Sequence, residues 1–212
     1  MREAGDAGAE KPSRYTIVKS ALVSASSASS AVRMVGTMRR TLVLAACLAT
    51  LLGSSLAAAI QITSTAFPAS GAIPSKYTCD GQNINPPLAF ASIPPKTQSL
   101  VLIMDDPDVP MPNGFTHWVL ADIPASAKEL PEGVQVGSVG VSANSGFRRP
   151  GYGGPCPPTG AHHYHFKLMA LDVDTIGVPQ GASRADVEKA MQGHVIGTAE
   201  TVGLYQKQPK QQ

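Results

Sequence analysis

Three strand-length, mainly apolar runs and one alternating segment, separated by proline- and glycine-rich breakers, constrain this fold more than any other feature. Residues 99–104 (S-L-V-L-I-M) form a continuous apolar stretch of strand length, which reads as a buried strand. Residues 117–123 and 163–171 read the same way, and 60–64 alternates like a half-buried strand. Between them stand Asn85-Pro86-Pro87, Ile93-Pro94-Pro95, Ile123-Pro124 and Leu130-Pro131, the punctuation of turns and strand ends. There is no internal repeat and no alternation of strand and helix, which argues against a parallel nucleotide-binding sheet. One helix is legible. Ser183 is its N-cap, Asp186 stands at capping-box spacing, Val187, Ala190 and Met191 form its apolar face, and Gly193 ends it. Residues 197–205 read as a last strand. Residues 60–212 are therefore expected to form one β-rich domain of about 150 residues.

Charge separates that domain from what precedes it. Up to Ala59 the chain carries seven Lys/Arg and three Asp/Glu, a balance of +4; from Ile60 onward it carries ten and twelve, a balance of −2. The basic excess thus lies outside the expected domain, and no clustered cationic face suggests nucleic acid. Met38-Arg39-Arg40 opens a basic run, residues 41–55 are apolar, and Ala57-Ala58-Ala59 supplies small residues before Ile60. This is the pattern of a secretory signal peptide over 38–59. A retained membrane anchor is the competing reading; a lipidation reading at Leu44-Ala45-Ala46-Cys47 leaves a very short apolar core. Residues 1–37, rich in Ala, Ser and Gly, read as a disordered extension ahead of a true start at Met38. The expected location is periplasmic or secreted. Export leaves Cys79 and Cys156, which an oxidising compartment invites into a disulfide; two free buried thiols are the alternative.

The polar residues that suggest chemistry lie in two separate motifs. Asp106-Pro107-Asp108-Val109-Pro110 follows an apolar strand, and its prolines stiffen the loop that presents Asp106. His117-Trp118 comes shortly after. The second motif, Gly153-Gly154-Pro155-Cys156-Pro157-Pro158, leads into His162-His163-Tyr164. Its glycines allow close backbone approach to a ligand, and its free amides suit an anion. Side chains alternate along a strand, so His162, Tyr164 and Phe166 share one face and His163, His165 and Lys167 the other. Asp106, His117, His162 and Tyr164 are expected to share one small pocket. His163 and His165 alone do not complete a metal site, because a stable one needs three or four supported ligands. No metal or cofactor is expected. No G-x-S-x-G elbow is present, and the one Cys–His couple, Cys156 with His162, is lost as a nucleophile once Cys156 is oxidised. The chain is read as a non-enzyme.

Taken together, D-P-D-x-P, H-W, G-P-x-P-P-x-G and H-x-Y resemble the phosphatidylethanolamine-binding protein family, above all its bacterial Raf kinase inhibitor-like branch. Tyr77-Thr78-Cys79-Asp80-Gly81 and Asn85-Pro86-Pro87-Leu88 fit as well, and the likeness runs from about Ile62 to Tyr205. It implies a mostly β fold: a large central antiparallel sheet, a smaller second sheet and one or two peripheral helices. It also implies a pocket for phosphate-like anions or phospholipid headgroups, lined by Asp106, His117, Gly154, Pro155, His162 and Tyr164. The family's names suggest an alternative role as a kinase- or protease-inhibitor-like interaction module working through the pocket rim. Two departures stand out: Gly146 precedes Phe147 where the reverse order is expected, and Asn85 stands where serine is common. The first should alter the rim loop and leave the fold intact. The pocket motifs contain no Lys or Arg, so anion capture would rest on neutral donors, loop amides and a protonated histidine, with Asp106 orienting an imidazole. Affinity should then strengthen as pH falls.

Overall fold

A computed structural model describes residues 59–207; the readings made on 1–58, including the signal segment, lie outside them. The chain forms nine strands: β1 Gln61–Thr63, β2 Gly71–Ala72, β3 Leu88–Ala91, β4 Ser99–Asp106, β5 Phe115–Pro124, β6 Glu129–Leu130, β7 Val141–Ser142, β8 Ala161–Leu171 and β9 Val195–Gln206. One helix, α1 (Arg184–Ala190), and a single 3-10 turn (Ser75–Tyr77) complete the regular structure of the described residues. None of their helices is long and apolar enough to cross a membrane.

The strands make two sheets. The larger has six, in the order β2-β9-β8-β4-β5-β7, and the smaller has three, in the order β1-β3-β6. Every pairing is antiparallel except β2 on β9, which is parallel at the edge. The expected large sheet with a smaller second one is thus present, with one parallel two-residue edge added.

The apolar run at 99–104 has a direct structural cause. Strand β4 lies centrally between β5 and β8, and all eight of its residues are buried. Leu100, Leu102 and Met104 face the small sheet and pack with Ile62, Leu88, Phe90, Trp118, Phe166 and Leu168. Val101 and Ile103 face the other way, into a second core closed by Val187 of α1 and the partly buried Val173, Ile176 and Met191. A strand covered on both faces loses the alternation that a half-exposed strand keeps. Burying each of these leucines contributes roughly 2–3 kcal/mol.

Helix α1 begins as expected. The Ser183 hydroxyl accepts from the Asp186 amide at 3.1 Å, and the Asp186 carboxylate accepts from the Ser183 amide at 3.1 Å, closing the capping box. Arg184 ties the helix to the sheet: its Nη1 donates to Asp105 at 2.5 Å and to Thr116 at 2.8 Å, and its Nε to Glu188 at 2.7 Å. Lys167 adds a second cation, 3.2 Å from Asp105. Asp105 is buried, so these partners offset the cost of its lost hydration.

Candidate functional site

Asp105 and Asp106 end β4 and point to opposite faces of the large sheet, as the pleat requires. Asp105 serves α1, as described above. Asp106 turns toward the face of the small sheet, where β8 presents His162, Tyr164 and Phe166, all buried. The Nδ1 of His162 donates to Asp106 Oδ2 at 2.7 Å. The other oxygen, Oδ1, accepts from the Asp108 amide at 3.0 Å, a local turn that stiffens the Asp-Pro-Asp loop. Asp108 repeats the gesture one residue on. Its Oδ2 accepts from the His163 amide at 2.7 Å and from His163 Nδ1 at 2.8 Å. These bonds, backbone first, hold the Asp108 carboxyl below its usual pKa. Both acids of the loop therefore grip the start of β8.

His117 reaches the same face by an irregularity. Met104 pairs with Trp118 and Asp105 with Thr116, so His117 is an extra residue in β5, a β-bulge. Its ring meets Tyr164 edge-on at 5.1 Å, while the adjacent Trp118 also belongs to the core under the small sheet. Strict alternation would have sent the two to opposite faces. His117 Nδ1 donates to the Gly153 carbonyl at 2.7 Å, which leaves Nε2 as an acceptor in the neutral ring. Burial pushes the His117 pKa below its ordinary value, although the Gly153 carbonyl and the Asp106 and Asp105 carboxylates pull it upward.

These groups surround a cavity of about 180 Å³, lined by Asp106, Val109, Phe115, His117, Phe147, Tyr164 and the Cys156-Pro157-Pro158 segment. Tyr164 is 0% exposed. Its hydroxyl forms no hydrogen bond that satisfies normal geometry. Burial, and then the Asp106 carboxylate, hold the phenol's pKa far above its ordinary value, so it stays protonated and can donate.

The expected residues divide into three groups. Asp106, His117 and Tyr164 line the cavity; His162 stands behind Asp106 and acts on the cavity through that carboxylate. Gly154 and Pro155 do not line it. The amides of Gly153 and Gly154, expected to be free, are engaged with the protein itself. The Gly153 amide donates to the His117 carbonyl at 3.0 Å, and the Gly154 amide to Asn83 Oδ1 at 2.7 Å. The Pro155 carbonyl accepts from the Cys79 amide at 3.1 Å. A Cβ on Gly154 would lie 2.5 Å from the Tyr77 carbonyl, so glycine is needed for the close approach of these two backbones. Beside these contacts Cys79 and Cys156 are joined, with Cα atoms 5.4 Å apart.

Two lining aromatics were not anticipated. Phe115 precedes His117 by two residues, so strand alternation could have found it. Phe147 comes from a loop, where no such rule applies; its ring lies edge-on to Phe115 at 4.9 Å and to His117 at 5.5 Å. It also sits over Gly153, where a Cβ would collide with it. The Gly146-Phe147 order thus still brings an aromatic to the rim. The other departure, Asn85, is a buried cross-link: its Nδ2 donates to the Pro86 and Pro131 carbonyls at 2.9 Å and its Oδ1 accepts from the Val134 amide at 2.7 Å. Among the described residues no three His, Cys, Asp or Glu side chains are arranged to hold a metal. His163 and His165 are instead paired with Asp108 and Glu200.

The sequence profile of the phosphatidylethanolamine-binding protein family matches residues 63–206. This chain belongs to that family. Its relatives include a UPF0098 protein of Aquifex aeolicus, 45% identical over 156 residues, which span 71% of this chain and 90% of that protein. Another, from Pyrococcus horikoshii, is 48% identical over 152 residues, 68% of this chain and 75% of its own length. Among solved structures, a phosphatidylethanolamine-binding protein homologue from Chlamydia trachomatis superposes with a TM-score of 0.67 at 39% identity, covering 71% of this chain and 99% of its own. Escherichia coli YbcL, described as a new member of the mammalian family, gives 0.66 at 31% identity, covering 71% of this chain and all of its own (100%). The family fold of these neighbours is the two-sheet arrangement with one helix seen here.

Proposed function

We propose that this protein is an exported, non-catalytic binder of small phosphate-like anions, in the form of a free phosphate monoester or a phospholipid headgroup. The observation that carries the reading is the buried Tyr164 hydroxyl, which makes no well-formed hydrogen bond and lies in a partly open cavity with the His117 ring and the Asp106 carboxylate. A buried donor without a partner costs about 1–3 kcal/mol, a cost that an anion accepting from it removes. At about 180 Å³ the cavity is below the roughly 300–1,000 Å³ of pockets for drug-sized ligands, so it suits a phosphate with a short substituent and not an acyl chain.

The lining groups support two protonation states for a bound phosphate. No Lys or Arg lines the cavity. Tyr164 offers one proton. His117, held neutral by burial with Nδ1 committed to Gly153, offers an acceptor at Nε2. A phosphate can therefore be accommodated in two ways: as a monoanion whose own P–OH donates to Nε2, or as a dianion once His117 has taken up a proton. Either route binds one more proton than the empty protein with a free dianion, so affinity rises as pH falls. Calorimetric titration with inorganic phosphate and with phosphoethanolamine, repeated across the range from about pH 8 to about pH 5 around the histidine value, checks this. Tighter binding at alkaline pH would sink it.

Binding is favoured over catalysis because the cavity lining offers no serine or threonine hydroxyl, the Tyr164 phenol is held protonated, and Cys156, its one sulfur, is bonded to Cys79. The same bond supports export, since exposed disulfides persist in oxidising compartments. Recovery of a protein with its N-terminus at Ile60 from the periplasmic or extracellular fraction is the corresponding test.

A further inference from the structure

We infer that the cleft beside α1 is a second binding site, which takes a short extended peptide carrying one carboxylate next to an apolar side chain. The inference stands apart from the phosphate reading. The cleft measures about 620 Å³, inside the range of roughly 300–1,000 Å³ usual for ligand sites. Three segments enclose it: the loop before β5, the loop at 144–148 and the first turn of α1. Arg184 is its fixed point. Nη1 donates to Asp105 and Thr116 and Nε to Glu188, so the plane of the guanidinium is held in place. Its Nη2 donates to no described group. A clamped guanidinium with one uncommitted nitrogen meets a carboxylate at little ordering cost.

Arg148 supplies a second cation from the facing loop. That loop is closed on itself: the Ser145 amide and hydroxyl donate to the Arg149 carbonyl at 3.0 and 3.1 Å, and the Arg148 amide donates to the Ser145 carbonyl at 2.9 Å. These bonds hold Arg148 at φ of 60°, a left-handed backbone that side chains other than glycine adopt at a cost. No described carboxylate pairs with its guanidinium. The charged lining residues are thus Arg148, Arg184 and Glu188, a balance of +1 in a domain whose bulk charge is negative. One carboxylate neutralises that balance, whereas a phosphate dianion overshoots it. The remaining walls suit a peptide. Met111, 53% exposed, stands with Phe115 as an apolar strip, and the carboxamides of Asn113 and Asn144 match the donor and acceptor of a peptide group. Asn144 Nδ2 donates to the Gly181 carbonyl at 2.6 Å, and its Oδ1 accepts from no described group. Gly146 shapes the partition. A Cβ there would lie 2.6 Å from the Phe115 ring, so glycine ahead of Phe147 lets Phe115 stand between the cleft and the anion cavity, both of which it lines.

The test uses the full chain, isotopically labelled, and two pools of N-acetylated, C-amidated tripeptides. One pool has Glu at its centre and the other Gln; both are flanked by Ala, Val, Leu or Phe. In amide NMR the Glu pool should shift the resonances of residues 113–116, 144–148 and 184–188 saturably, and the Gln pool should bind about tenfold more weakly. Arg148→Gln should bring the affinity for the Glu pool down to that of the Gln pool. Arg149→Gln should leave it unchanged, because Arg149 does not line the cleft and its guanidinium lies 5.9 Å from the centre of the Phe147 ring. Equal binding of the two pools, equal losses in the two arginine variants, or no saturable shift at the cleft overturns the proposal. Tyr164→Phe separates the two sites: phosphate binding should weaken while peptide binding stays. Loss of both in that variant, or peptide shifts centred on His117 and Tyr164, would place the peptide in the anion cavity and remove the second site. Phosphate that fails to bind a protein still taking the Glu pool removes the anion reading alone.

Discussion

Tyr164 is where folding and ligand binding pull in opposite directions. Its hydroxyl is buried without a well-formed hydrogen bond, so removing it should relieve the fold and impair the site. Tyr164→Phe is expected to raise unfolding free energy by about 1 kcal/mol in urea titration and to weaken phosphate binding about tenfold. A variant that loses both stability and binding would mean that the hydroxyl is satisfied in solution. His117 sets the pH response of the free protein. Its folded pKa lies below the unfolded value of about 6.5, because burial disfavours the charged ring. The unfolded chain therefore takes up the proton first. Stability is fully present above about pH 6.5 and declines as pH falls from there toward the folded value. Urea midpoints at about pH 7.5 and about pH 5.5 should differ more in the wild type than in His117→Gln. Phosphate should reduce the wild-type difference, since a bound anion favours the protonated ring.

Among the elements, the loop at 153–158 is held by several independent bonds. The Cys79–Cys156 bridge closes a sequence separation of 77 residues. Replacing both cysteines by alanine should cost about 4 kcal/mol, mostly by freeing the unfolded chain. The Tyr152 hydroxyl still donates to the Tyr77 carbonyl at 2.8 Å, and the Cys79 amide to Pro155, so phosphate binding should survive under native conditions. Calorimetry on the double variant checks both halves. This loop and its neighbours also show what could be read ahead of the structure. The facing of His162, Tyr164 and Phe166 follows from the period of a strand, and the Ser183–Asp186 cap from local hydrogen-bond spacing; both are short-range rules. The common facing of His117 and Trp118 depends on a bulge whose cause is long-range pairing with β4. Phe147 and the committed amides of Gly153 and Gly154 depend on which distant segment the loop meets. Strands β2, β6 and β7, two residues each, are too short to carry a period at all.

For the whole molecule, the large sheet separates two jobs. One face carries the small sheet and the cavity; the other carries α1 and its ion pairs. Val187→Ala, on the helix side, should lower stability by about 2 kcal/mol through the void it leaves, with phosphate affinity unchanged. A parallel fall in affinity would show that the faces are coupled through β4. The general shape, short strands with one capped helix, was legible because both cores demand apolar residues at regular intervals. The location of the site was legible only as motifs, since nothing local says that residues 106, 117 and 164 meet. The additional residue at His117 has one more consequence. Along β5 the interior and the ligand chamber are counted in different phase: Phe115 and His117 keep step with the chamber, and Trp118 and Leu120 with the interior. Deleting one residue from this stretch would erase the offset, turning either the imidazole out of the chamber or the indole out of the oil.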